Sequence, residues 1–143
     1  MRYFDSGVLL KLYLRKPNSP QAVALVGERG AAPPLTALHR LEMKAAIGQK
    51  QGRGEITAAE RDAVLADFEN DLAAGVFAET APAWPAVFTR AESLAAAHSS
   101  SSLCRSLATL HVALALELGA TEFCTFDLRQ AVMANAAKLT VVP

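Results

Sequence analysis

Two stretches far apart in this chain carry one pattern, a short apolar run that stops on a single aspartate and gives way to a helix. The first opens the sequence as Met1-Arg2-Tyr3-Phe4-Asp5-Ser6-Gly7-Val8-Leu9-Leu10-Lys11-Leu12, with Ser6 placed to cap the helix. The second is Thr121-Glu122-Phe123-Cys124-Thr125-Phe126-Asp127, followed by a helical reading from Leu128 to Ala137. Strands that feed helices build open parallel sheets, and ligands of such sheets bind where the strands end. Asp5 and Asp127 are therefore expected on one sheet edge. One aspartate alone reads more simply as a helix cap. Two of them held close would repel, and a divalent cation between them lets both stay ionised.

Between these ends, short strands and helices alternate. Pro17-Asn18-Ser19-Pro20 separates the first helix from a second that runs to about Glu28, with Ser19 as N-cap and Pro20 in the first turn. Residues Ala31 to Leu35 read as a strand, and Thr36 as the cap of a third helix reaching about Lys50. On that helix Leu38, Leu41, Ala45 and Ala46 form the expected apolar face, with Glu42 projecting from it and Arg40 and Lys44 pointing away. A carboxylate inside an apolar stripe needs a partner or a metal unless it lies at the wet end of the sheet. Thr57-Ala58-Ala59-Glu60 is a capping box for a fourth helix through about Ala74, ended by Gly75. Val76 to Glu79 reads as a strand and Trp84 to Ala97 as a fifth helix, with Trp84 a packing residue rather than a base-stacking one. The run Ser99-Ser100-Ser101-Ser102 reads as a flexible connector. A sixth helix from Arg105 to Leu118 carries Leu107, Leu110, Leu114 and Leu118 on one stripe, with His111 inside it as a core histidine. Gly119 ends that helix, and Leu139 to Val142 is a last strand.

This alternation predicts an α/β fold, a three-layer α/β/α sandwich with a central parallel sheet of four to five short strands, in a single domain spanning residues 1–143. Just over half of the residues are apolar, which suits a sheet covered on both faces. The 14 Lys and Arg balance the 14 Asp and Glu, so no global basic field marks a nucleic-acid binder, although a local patch would suffice for one. Cys104 and Cys124 form neither a metal spacing nor a disulfide framework and read as reduced, buried thiols of a cytoplasmic protein. No apolar stretch is long enough to span a bilayer, and structure beginning at the first residues is expected to leave no room for a signal peptide.

Four segments taken in order resemble one family. They are Tyr3-Phe4-Asp5-Ser6-Gly7, Leu38 to Ala46 with Glu42 inside, Arg105-Ser106-Leu107-Ala108-Thr109-Leu110-His111-Val112-Ala113, and Thr125-Phe126-Asp127-Leu128-Arg129-Gln130. Together they resemble a PIN domain, most closely the VapC type of bacterial toxin nuclease, over nearly the whole chain. The resemblance implies a PIN-like fold and a metal-dependent endoribonuclease, the toxin of a toxin–antitoxin pair. It implies Asp5 and Asp127 as ligands of Mg²⁺ or Mn²⁺, with Glu42 holding a second ion or orienting water. Such ions prefer oxygen ligands, polarise a phosphoryl group and acidify a bound water that attacks phosphorus. It further implies Ser6, Arg105 and Arg129 as substrate contacts, RNA and an antitoxin as partners, and a homodimer.

One position departs from the family pattern. One place after the leucine of the sixth helix the family carries an acidic residue, usually Asp, and this chain has Ala108. Alanine offers no oxygen, and since losses outside the ligand set already cost about 10–100-fold in affinity or activity, losing a ligand costs at least that. Either the chain is a degenerate member that still binds RNA or a partner, or Ala108 is a deliberate replacement that disarms a toxic nuclease. The second accounts better for a motif kept everywhere else. A catalytically silent domain that binds RNA or an antitoxin is the competing function. A phospho-accepting signalling domain needs adjacent acids after the first strand and a lysine after the last, where Asp5 is single and Lys138 precedes the last strand.

Overall fold

In the computed structural model, which describes residues 1–28 and 30–143, the two strand–aspartate stretches lie side by side. Strand β1 (Arg2–Phe4) pairs in parallel with β4 (Glu122–Cys124), and β4 pairs in parallel with β5 (Thr140–Val142), giving the order β1-β4-β5. Their register places Arg2 opposite Glu122, Tyr3 opposite Phe123 and Phe4 opposite Cys124. Each pair adds something beyond the ladder. Arg2 Nε donates to Glu122 Oε2 at 3.1 Å, and the fully buried rings of Tyr3 and Phe123 stack with centroids 5.5 Å apart.

These strands belong to one of two compact units, residues 1–5 with 81–143, which also holds α5 (Trp84–Ser102), α6 (Ser106–Glu117) and α7 (Leu128–Ala136). Helix α6 packs against both α5 and α7, and every residue from Thr109 to Ala115 is buried. It is therefore covered nearly all round, and the expected leucine stripe does not describe it: Leu110 and Leu114 are buried, while Leu107 stands half exposed. His111 is a core histidine, its Nδ1 2.7 Å from the Tyr3 hydroxyl. The serine run is helical rather than a connector. Serine is a tolerable helix residue, and what ends α5 is Leu103 in the left-handed conformation (φ 56°), its N–H returned to Ser99 O.

The other unit, residues 6–80, contains α1 (Ser6–Leu10), α2 (Ser19–Gly27), β2 (Pro34–Leu35), α3 (Ala37–Gly52), α4 (Ala58–Ala73) and β3 (Ala78–Glu79). Strands β2 and β3 form a separate parallel pair. Thr36 is the N-cap of α3, and the box is closed by a histidine: His39 Nδ1 accepts the Thr36 N–H at 3.0 Å. The buried face of α3 is Leu38, His39, Met43 and Ile47, so the expected stripe is rotated, and Leu41 is 67% exposed. Burying His39 is possible because its ring meets Thr36, and that fixes the face one position from the purely apolar choice. Helix α4 opens with the predicted Thr57–Glu60 box and buries only Phe68, whose ring meets Tyr13 edge-on. Gly75, at φ 73°, turns the chain out of α4 where a side chain would be strained.

The strands are shorter than the sequence predicts, since Ala31 to Pro33, Val76 and Phe77, and Leu139 lie outside the ladders. Among the described residues the five strands all run parallel to their partners, but they form a three-stranded sheet and a separate pair rather than one central sheet of four to five. No helix among the described residues is long and apolar enough to cross a membrane. The stacking of Tyr3 on Phe123 yields a prediction. Phe123→Ala is expected to destabilise the chain by about 3–5 kcal/mol in urea unfolding, whereas Leu128→Ala, at an 83% exposed site, changes it by less than about 0.5 kcal/mol.

Candidate functional site

The ladder between β1 and β4 continues one step past the strands, with Asp5 N–H donating to Cys124 O at 3.1 Å. On the other side of β4, Thr125 N–H donates to Val142 O at 3.1 Å. Asp5 therefore comes level with Thr125, not with Asp127. In a parallel ladder, level neighbours point to the same side, so the two side chains meet. Thr125 Oγ1 lies 2.6 Å from Asp5 Oδ2, and both residues are buried. The two strand–aspartate stretches are thus not equivalent: Asp5 follows β1 at once, while Asp127 stands three residues past the end of β4.

Asp127 joins the cluster through its backbone. Its N–H donates to Thr125 Oγ1 at 3.0 Å, while its Oδ1 accepts from the N–H groups of Arg129 and Gln130 at 2.8 and 3.1 Å. One carboxylate oxygen is accordingly used as the N-cap of α7. Gln130 occupies the third position of that helix, where Asp-x-x-Gln would suggest a capping box. Instead it is buried and turned inward, its Oε1 2.7 Å from Thr125 Oγ1 and its Nε2 donating to Ala108 O at 3.1 Å. A continuous hydrogen-bonded path thus links Asp5, Thr125, Gln130 and position 108, with Asp127 attached at Thr125.

This cluster is rich in acceptors. The Thr125 hydroxyl already accepts from Asp127, and its one proton faces both Asp5 Oδ2 and Gln130 Oε1. The Gln130 amide is oriented by the Ala108 carbonyl, which needs its NH₂ end. Thr125 and Gln130 carry the geometry of the site, and the sequence reading passes over both. Their signal is positional: the residue level with Asp5, and the third residue after a helix-capping aspartate.

The remaining predicted residues fall as follows. Ser6 and Glu42 meet in the 6–80 unit, Ser6 Oγ donating to Glu42 Oε1 at 3.0 Å. Glu42 is half-buried at the edge of the α3 core face. Arg105 is the N-cap residue of α6 and Arg129 lies in the first turn of α7; both side chains are exposed. Ala108 is half-buried. Among the described residues, no group of three or more His, Cys, Asp or Glu side chains is placed to hold a metal ion.

Cys104, just after α5, lies within the electrostatic reach of Asp127. Burial pushes its thiol above the ordinary range; a hydrogen bond with Thr109 pulls the other way, and the Asp127 charge adds to the rise.

No protein-family model matches the chain, and no curated protein matches it. Among solved structures it is similar to the crystal structure of FitAcB from Neisseria gonorrhoeae, with a TM-score of 0.72 at 16% identity over 100% of this chain and 97% of that one. At this identity the likeness concerns the fold, which is the PIN-like α/β fold that the motifs imply.

Thr125→Val removes the hydroxyl shared by Asp5 Oδ2, Gln130 Oε1 and the Asp127 N–H. It is expected to cost about 1–3 kcal/mol in urea unfolding, whereas Thr140→Val, exposed in β5, stays within about 0.5 kcal/mol. For Cys104 the sign follows from a raised folded value. The neutral thiol adds stability below the unfolded thiol range near about 8.5, and this is lost as pH rises through the folded value. In a Cys124→Ser chain, the pH profile of iodoacetamide alkylation should therefore turn up at higher pH when folded than in urea.

Proposed function

We propose that residues 1–143 form one PIN-type domain of an endoribonuclease, the toxin of a toxin–antitoxin pair, in which hydrolysis is disabled at position 108. The observation that carries this reading is the path from Asp5 through Thr125 and Gln130 to Ala108. It links the backbone of residue 108 to Asp5 through two side chains, and in this reading an acidic side chain at 108 joins the two strand-end aspartates. The PIN-like fold and the order of the four motifs support it.

In this reading the active form uses Mg²⁺ or Mn²⁺, which supplies Lewis acidity toward a phosphoryl oxygen of RNA. Asp5 and Asp127 are the retained acids, and Glu42, oriented by Ser6, is the third carboxylate of the family pattern. Arg105 and Arg129, exposed and at helix starts, serve as phosphate contacts. The protein acts in the cytoplasm as a homodimer with an antitoxin as its partner. The second reading is a silent domain that binds RNA or an antitoxin.

Ala108→Asp separates them. The ribonuclease reading expects the variant to bind Mn²⁺ at least about 10-fold more tightly than the parent by titration calorimetry, and to cleave RNA in a way that chelation abolishes. A folded Ala108→Asp chain that neither binds Mn²⁺ nor cuts RNA would leave the silent binder standing.

A further inference from the structure

Helices α5 and α6 pack against each other, and between two of their facing stripes they leave a gap. On α5 the residues at the gap are Phe88, Ala91, Glu92 and Ala95, whose spacing puts them on one face of the helix. On α6 they are Ser106, Thr109 and Leu110, which share a face of its first turns in the same way. Ala91 and Ala95 of one helix thus stand across from Ser106 and Thr109 of the other, small against small. Close-packed helices interleave large side chains with small ones. This pairing instead leaves a cavity of about 170 Å³ that opens to solvent.

The walls are of two kinds. Ala91 and Leu110 are buried, and Phe88 is 52% exposed, its ring leaning on Trp84 with centroids 6.5 Å apart. The Thr109 hydroxyl is committed to its own helix, donating to Arg105 O at 2.9 Å. That leaves Glu92 and Ser106 as the polar groups of the lining. Both are exposed, and neither side chain has a hydrogen bond or an ion pair among the described residues. The arginine nearest to Glu92 along α5, Arg90, is held by Glu117 of α6. Glu92 is therefore an unpaired carboxylate one helical turn from the Phe88 ring, at the rim of an apolar gap.

We propose that this cavity is a binding site for a small arylalkylammonium ion, a single apolar ring that carries its cation one or two carbons away. Size and charge each supply part of the argument. An apolar cavity of roughly 150 Å³ holds benzene, so one ring fits here against Leu110 and the alanines. Phe88 gives that ring an aromatic neighbour. The cation is left at the rim, where Glu92 is its counter-ion and the Ser106 hydroxyl accepts from its N–H. An anion of the same shape meets the unpaired carboxylate and is rejected. The proposal does not rest on the ribonuclease reading, although the cavity shares the first turns of α6 with Ala108, whose carbonyl anchors Gln130.

The test is an amide NMR titration of the full chain with three ligands of nearly one shape, 2-phenylethylammonium, 2-phenylethanol and 3-phenylpropionate. The ammonium is expected to shift Ala91, Ala95 and Leu110 saturably with a Kd of about 1 mM or below, the alcohol to bind the same residues about 2–5-fold more weakly, and the anion not to bind. Glu92→Gln should bring the ammonium down to the affinity of the alcohol and leave the alcohol unchanged. Ala95→Leu fills the gap and should abolish binding of both, with an unfolding midpoint no lower than the parent's. No saturable shift by the ammonium up to about 10 mM, or shifts confined to other residues, overturns the proposal. Equal affinity for ammonium and alcohol, unchanged in Glu92→Gln, also overturns it, in favour of a cavity with no charge preference. Should Ala95→Leu not fold, the ligand series and Glu92→Gln, at an exposed position, decide alone. None of these readouts involves Ala108→Asp, so this site and the ribonuclease reading fail separately.

Discussion

The parallel register of β1 on β4 is the constraint on which the acidic edge depends. A slip of one residue would turn Tyr3 and Phe123 to opposite faces and carry Asp5 away from Thr125. Two interactions prevent it, the Arg2–Glu122 pair and the stacked, fully buried rings of Tyr3 and Phe123. The His111–Tyr3 hydrogen bond ties the same pair to α6. The strands are only three residues long, so side-chain pairs hold a register that the few ladder bonds would leave loose. The buried Asp5–Thr125 contact is a consequence of that register.

How α6 enters the cluster explains why alanine at 108 is compatible with an intact site. Gln130 is anchored on the carbonyl of residue 108, a group that every residue type supplies. The orientation of Gln130, and through it of Thr125, is therefore indifferent to the side chain at 108. Frame and side chain are separable at this position: the hydrogen-bonded frame needs only the backbone carbonyl of residue 108.

Much of the local structure was legible because it depends on neighbours in sequence. The caps at Thr36, Thr57 and Asp127 and the turn glycines Gly75 and Gly119 act over three or four residues, and each falls where its residue type predicts. The faces of the helices were less legible. On α3 the histidine that completes the cap is buried and draws Met43 and Ile47 inward, leaving Leu41 outside. On α6 burial on all sides removes the contrast from which a stripe is read, so four leucines in phase carried no information about which of them faces solvent. The serine run was misread because composition suggests a loop, while the helix continues until a backbone reversal at Leu103 ends it.

By itself the sequence determined the α/β class, the order of the elements and the presence of one aspartate beyond each of two buried strands, since periodicity and capping are local properties of the chain. Only the tertiary structure decided which residues stand level across the ladder. It set Thr125 beside Asp5. It also drew Gln130 inward to the backbone of Ala108. The physical reason is that register and loop closure are fixed by packing between segments far apart in the chain, which no spacing along it encodes.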